Sequence, residues 1–308
     1  MKKFLAAILA FVIAFSLAAC AESEPGTQPL STQPLESVDA SNTPTGEVTE
    51  ETTEPVSEAG KAEVAESVVY EDDSFKITVT GMDADSLWGT EINLLVENNS
   101  DKNISLSGDT FVVNGITLIG NLYIDVAAGK KANGSMILYT ESLDVAGIND
   151  VATVYAYDAH IIDTDTYESI LDVPMEIKTS IADGYTQAVN DEGEQLWQAD
   201  GITVIAQVVD DSIWGKRVQL LIKNDTEANI IVQADSISVN GFMVAAIMSS
   251  DVVANTACFA DMTVFESDLE SNGIENIEEV AFTLSILNPD TYETIATSEE
   301  LTVYAAAQ

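Results

Sequence analysis

The sequence predicts an all-β protein built as one antiparallel β-sandwich unit written twice. Three observations predict it. Shifting the chain by 126 residues lays Asp85-Ser86-Leu87-Trp88-Gly89 on Asp211-Ser212-Ile213-Trp214-Gly215. The same shift lays Asn98 on Asn224, Asn103-Ile104 on Asn229-Ile230 and Val113-Asn114-Gly115 on Val239-Asn240-Gly241. The period far exceeds that of stacked solenoid repeats, so each copy is a domain-sized unit. Within a copy, Phe75, Ile77 and Val79 alternate with polar neighbours, as do Ile202, Val204 and Ala206. This is the two-residue period of a half-buried strand. Asn114-Gly115 and Asn240-Gly241 stand between alternating apolar runs and read as hairpin turns.

From the start of the chain, Lys2-Lys3 and the uncharged run Phe4–Ala19 form a basic start and an apolar core of export-signal length. The run closes on Leu17-Ala18-Ala19-Cys20, which resembles the lipobox of bacterial lipoproteins. That resemblance implies removal of residues 1–19 as a signal peptide and diacylglycerol on the Cys20 thiol. Each buried methylene of such a lipid adds roughly 0.8 kcal/mol of membrane affinity. Residues 20–66 read as a disordered tether: residues 21–66 hold five of the seven prolines, eleven acids, the single base Lys61 and no aromatic residue. Such a stretch buries too little apolar surface to offset chain entropy, and its charges favour extension.

The first sandwich is expected over 67–179, a linker over 180–193 and the second sandwich over 194–308. Strands of the first copy are expected near 75–79, 91–98, 103–113, 116–124, 133–140, 151–161 and 168–178, with a helical turn in Glu141–Asp150 and its counterpart Ser267–Asn276. Near the end of each copy the shift becomes 125, where Asp165-Thr166-Tyr167-Glu168 meets Asp290-Thr291-Tyr292-Glu293. Seven or so short strands in roughly 110 residues point to a sandwich of immunoglobulin type.

Charge excludes some partners. With 52 acidic and 11 basic side chains the net charge is −41, which argues against nucleic acid and against docking on anionic lipid through a basic patch. After Lys223 fifteen acids follow and no base. One histidine and two cysteines leave little for zinc, a triad or a disulfide scaffold. His160 lies beside Asp158 on one strand. Pairing the copies by 125 there sets Ala156 against Ala281, Tyr157 against Phe282 and Ile161 against Ile286, which leaves Asp158 and His160 on a solvent face. A surface pair, rather than a catalytic one, is the expectation. Cys258 has the parity of Met262 and Val264 and reads as a buried apolar side chain.

Asp83-x-Asp85 and Asp163-x-Asp165, with Asp210-Asp211 and Asp290 in the second copy, are the best calcium candidates, but Asp and Asn are also ordinary turn residues. Trp88 and Trp214 recur in both copies, so a packing role is expected of them. Positions that differ between copies have more room to serve function. By that test Tyr123, Tyr139, Tyr155 and Tyr157 of the first copy and Lys216-Arg217 of the second are contact candidates, with Tyr155, Tyr157, Lys216 and Arg217 the expected partner contacts.

The Trp88-Gly89, Asn98, Asn103-Ile104 and Val113-Asn114-Gly115 segments, repeated in the second copy behind an acidic tether, resemble those of surface lipoproteins of Gram-positive bacteria with tandem immunoglobulin-like domains of unassigned function. In outline these domains are similar to a secreted mycobacterial immunoprotective antigen. The resemblance implies no catalytic residues. The expected function is a noncatalytic binding or adhesion module, lipid-anchored on the extracytoplasmic face of the cell membrane, with a protein or glycan ligand and no cofactor besides the Cys20 lipid. The alternative is a calcium-responsive spacer of the cell envelope.

Overall fold

Alternating side chains and tight turns give strands throughout the computed structural model, which describes residues 62–212 and 214–305. The expected signal peptide, Cys20 and the expected tether up to residue 61 lie outside the described residues. The first copy runs β1 (Ser67–Glu71), β2 (Phe75–Ser86), β3 (Gly89–Asn98), β4 (Ile104–Val113), β5 (Ile116–Val126), β6 (Lys131–Tyr139), α1 (Thr140–Val145), β7 (Thr153–Ala156), β8 (His160–Asp163), β9 (Ser169–Asp172) and β10 (Met175–Lys178). The second runs β11 (Glu194–Ala199), β12 (Ile202–Ser212), β13 (Gly215–Asn224), β14 (Ile230–Val239), β15 (Phe242–Met243), β16 (Ala246–Ile247), β17 (Ser249–Val252), β18 (Thr256–Phe265), α2 (Glu266–Ser271), β19 (Glu279–Leu287), β20 (Thr294–Thr297) and β21 (Leu301–Tyr304). The fold is all-β, as the alternation predicts. The edge strands β1 and β11 were not among the expected strands.

In the first copy one layer is β1-β2-β3-β6 and the other is β4 with β7, β8, β9 and β10, while β5 pairs with both β6 and β4. The second copy repeats this with β11-β12-β13-β18 facing β14, β19, β20 and β21, the counterpart of β5 being broken into β15, β16 and β17. Each copy encloses its own core: Ile77, Leu94, Leu106 and Phe111 in the first, and Val204, Leu220, Val232 and Phe282 in the second, are all sealed from water. A third, small cluster of Ile205, Leu221 and Ala257 with Val189 and Phe259 lies where the copies meet.

The Asn-Gly turns form as read. Asn114 and Gly115 take φ of 51° and 84°, Asn240 and Gly241 of 49° and 80°, the doubly left-handed turn that suits twisted strands. Val113 pairs with Ile116 and Val239 with Phe242. The asparagine side chain has a second task. Asn114 Nδ2 donates to Asp150 O (2.8 Å), and its Oδ1 accepts from the Ala152 and Thr153 amides at 2.8 and 3.0 Å. Asn240 repeats this with Asn276, Glu278 and Glu279.

Asn98 and Asn224 are buried, at 1% and 0% exposure, and each is fully partnered. Asn98 Nδ2 donates to the carbonyls of Lys102 (2.8 Å), Val126 (3.1 Å) and Ala127 (3.2 Å), while its Oδ1 accepts from the Ser100 amide and hydroxyl. Asn224 does the same to Ala228, Val252 and Val253, and accepts from Thr226. A buried amide with these bonds made is stabilising; with its partners orphaned it is costly.

The recurring Trp-Gly pairs correct the expectation of packed tryptophans. Trp88 and Trp214 are 64% and 67% exposed. What the fold needs is the glycine. Gly89 has φ +136°, and a Cβ there would fall 2.0 Å from Leu138 O; Gly215 has φ +145° and would meet Val264 O at 2.2 Å. The strand start approaches its neighbour too closely for any side chain.

The expected strands 151–161 and 168–178 each split in two. β7 pairs with Phe111–Val113 and β8 with Ile104–Ser107 of the same β4, with a break at 157–159. Val113 faces Val154 as Val239 faces Val280, a shift of 126, whereas Leu106 faces Ile161 as Val232 faces Ile286, a shift of 125. The extra residue of the first copy therefore lies within the break at 157–159. Ala156 takes the place of Phe282, not of Ala281, and the expected Tyr157–Phe282 pairing is likewise overturned. The pairing of Ile161 with Ile286 holds.

Gly89→Ala is expected to lose about 2–4 kcal/mol in urea unfolding, while Leu87→Ala, at an 86% exposed position, changes stability by no more than ~0.5 kcal/mol. Equal midpoints for the two variants would contradict the close approach at Gly89.

Candidate functional site

The register of three strands composes an outward face on the first copy. Along β4 the side chains of Ile104 and Leu106 point into the core, which turns Ser105 and Ser107 outward. Ser105 lies between Asp125 of β5 and Ile162 of β8, and Ser107 between Tyr123 and His160. Cross-strand neighbours on one face stand within reach of each other, so these six residues form two adjacent rows.

Between them the face is concave. A depression of about 530 Å³ is lined by Asn103, Ser105, Tyr123, Asp125, Ile162 and Tyr167 among others. Ser105 sits at 2% exposure, and its Oγ has no hydrogen-bond partner. Tyr123 and Tyr167 are 61% and 85% exposed. Tyr167 is held at φ +60°, an uncommon conformation for a bulky side chain. Its amide donates to Asp163 O at 2.7 Å. The Asp163 carboxylate pins the same turn by accepting from the Asp165 amide (2.9 Å) and pairing with Lys102 (2.8 Å). Lys102 first, then the turn amides, hold the Asp163 carboxyl below its ordinary range.

Beyond Tyr123 a smaller hollow of about 240 Å³ contains Asp158 and His160. The two side chains do not pair. His160 Nδ1 lies 2.6 Å from the Asp158 main-chain oxygen, while the Asp158 carboxylate accepts from the amides of Asp109 and Thr110 at 3.0–3.2 Å. Both residues are half-buried rather than freely exposed. Burial raises the Asp158 pKa above its ordinary value against the lowering effect of those amides.

The second copy does not reproduce the face. Ile231, paired with Asp251 and Leu287, stands where Ser105 is; Ser249 and Ser285, both paired with Gln233, stand for Tyr123 and His160. This counterpart is engaged by the first copy. The Tyr157 side chain stands beside Asn229, with Asp251 and Asp290 near, and burial raises its pKa. Close by, β5 and β18 make the one parallel pairing among the described residues, Ile116 with Ala257 and Thr117 with Cys258. Thr117 Oγ1 meets Thr256 Oγ1 at 2.7 Å and accepts from the Val253 amide at 3.2 Å. A groove of about 530 Å³ opens beside this junction, walled by Asp109, Ile119, Tyr139, Asp251, Phe259 and Asp261. Asp251 and Asp261 each keep more than a third of their surface in water, yet the protein crowding their carboxyls raises both pKa values.

Of the residues singled out in the sequence, Tyr157 lies at the junction and Tyr155 is 36% exposed on β7. Arg217 is held bidentate by Asp210 (2.8 and 2.6 Å), with Asp261 at 3.6 Å, and Lys216 is bonded to Asp211. Cys258 is buried in the second core, and its thiol is pushed up to about 12 by burial. The Asp83 carboxylate accepts from the Asp85 amide, as Asp163 does from Asp165, which is turn chemistry. Among the described residues no group of three or more His, Cys, Asp or Glu could hold a metal ion. Ser105, Asp125 and Tyr167 were not singled out. Comparing Ser105 with Ile231 was the signal that could have found the site, since a serine and an isoleucine at one strand position ask for different surroundings.

Raised carboxyls set the sign of the acid response. A folded-state pKa above the unfolded value costs stability at neutral pH, and the cost is relieved as pH falls through that raised pKa. Asp158, Asp251 and Asp261 therefore predict that stability rises as pH drops from neutrality through their raised pKa values. It then falls below the ordinary 3.8 as Asp72, Asp163 and Asp191, whose pKa values are lowered, take up protons. Urea midpoints across pH check this, and a monotonic decline from pH 7 would contradict it. No protein-family model matches this chain and no curated protein matches it, so the functional assignment rests on its own residues.

Proposed function

We propose that this protein is a noncatalytic binding module, held on the extracytoplasmic face of a bacterial cell membrane by lipid on Cys20 and spaced from it by the acidic tether. Its two β units are, in this reading, of immunoglobulin type. The observation that carries the reading is the concave outer face of the first copy. It gathers exposed tyrosines, a buried unpartnered hydroxyl and a carboxylate in one depression, and the duplicated copy keeps Asp251 and Tyr292 but has Ile231 and Ser249 in place of Ser105 and Tyr123. Two copies with one fold and one differing face are what a scaffold with a specialised contact surface requires.

Two experiments test the reading. Cys20→Ser should move the protein from the membrane fraction to the medium, and equal membrane retention would contradict the lipid anchor. The soluble Cys20→Ser chain, immobilised, should retain material from cell-wall or matrix fragments, and Tyr123→Ala should reduce that retention. No retained partner at micromolar concentration would overturn the binding role.

A further inference from the structure

We propose that the depression around Ser105 is a saccharide site, taking a neutral, multiply hydroxylated ring. The inference rests on the binding-module reading and names its ligand class. A buried hydroxyl without a partner is costly in a finished fold. Ser105 Oγ, with no partner at 2% exposure, lines a depression of about 530 Å³, within the ~300–1,000 Å³ usual for small-molecule sites. A ligand hydroxyl can both donate to that Oγ and accept from it. Asp125, directly across the strand pair, offers two acceptor oxygens that call for ligand donors.

The apolar requirement comes from the walls. Ile162 flanks Ser105 on the other side, and the rings of Tyr123 and Tyr167 stand exposed around the opening. Such rings are aromatic faces with a polar tip, suited to a ligand that is apolar on its C–H face and polar at its edge. Sugar rings have that make-up. Charge selects against acidic ligands: the chain carries −41, and Lys102, the base beside the turn, is already paired with Asp163.

The second copy supplies a precedent and a contrast. At its counterpart a hydroxyl-bearing ring, Tyr157, stands beside Asn229, the equivalent of Asn103. Ile231 there replaces Ser105 and leaves no hydroxyl to satisfy.

The test is an array of neutral oligosaccharides probed with the soluble Cys20→Ser chain, followed by calorimetry on the best binder, one site per chain being expected. Tyr123→Ala and Ser105→Val should each weaken binding at least about tenfold, while Trp88→Ala, at the opposite end of β3, should leave it unchanged. Ser105→Val is compatible with the fold because Ile231 already occupies the equivalent position, and unchanged urea midpoints would verify this. Binding indifferent to both variants, or no neutral glycan retained, would overturn the saccharide assignment. Retention of wall or matrix material without glycan binding, or of tyrosine-bearing peptides alone, would overturn it while leaving the binding module standing. Failure to retain any material would remove both.

Discussion

The buried asparagine at the end of β3 is the constraint on which the rest depends. Asn98 joins the turn after β3 to the end of β5 through three carbonyls, and its own oxygen is satisfied by Ser100. Just beyond, Asn103 Oδ1 accepts from the Ala128 amide at 3.2 Å. These bonds clamp the ends of β4 and β5, and the depression is lined by residues from both strands at that clamp. A loose clamp would let Ser105 and Asp125 drift apart. Because a desolvated amide tolerates no missing partner, the fold is specified here by chemistry rather than by apolar area alone.

Duplication preserved the clamp and changed what surrounds it. Lys131, paired with Glu97, occupies the strand position held in the second copy by Ala257, which packs with Ile205 and Leu221 at the junction. A lysine on an open strand edge discourages pairing, and an alanine permits it. Tyr157, in the break that holds the extra residue, completes the asymmetry by standing beside Asn229. The β18 edge of the second copy is thereby used in joining the copies, while the outer face of the first copy stays open to solvent.

Much of this was legible in the sequence, for reasons that are local. Alternation of Phe75, Ile77 and Val79 and the Asn-Gly turns depend only on neighbouring residues, so the strands and hairpins followed from them. Cys258 could be turned inward by parity alone. The placement of the extra residue at 157–159 could not, because a one-residue insertion can be absorbed anywhere along a strand and only the pairing with β4 decides where. Trp88 misled because recurrence was read as packing, whereas the recurring pair serves the glycine's backbone. Ser105 looked like any outward strand serine; its neighbours Asp125 and Ile162 are brought beside it by strands from other parts of the chain.

The most direct measurement is residue-resolved amide chemical-shift mapping of the soluble chain with a bound neutral glycan. The account predicts shifts concentrated at Asn103, Ser105, Tyr123, Asp125 and Tyr167, with Asn229, Ile231, Ser249 and Tyr292 undisturbed. Shifts gathered instead at Asp251, Phe259 and Asp261 beside the junction would contradict it.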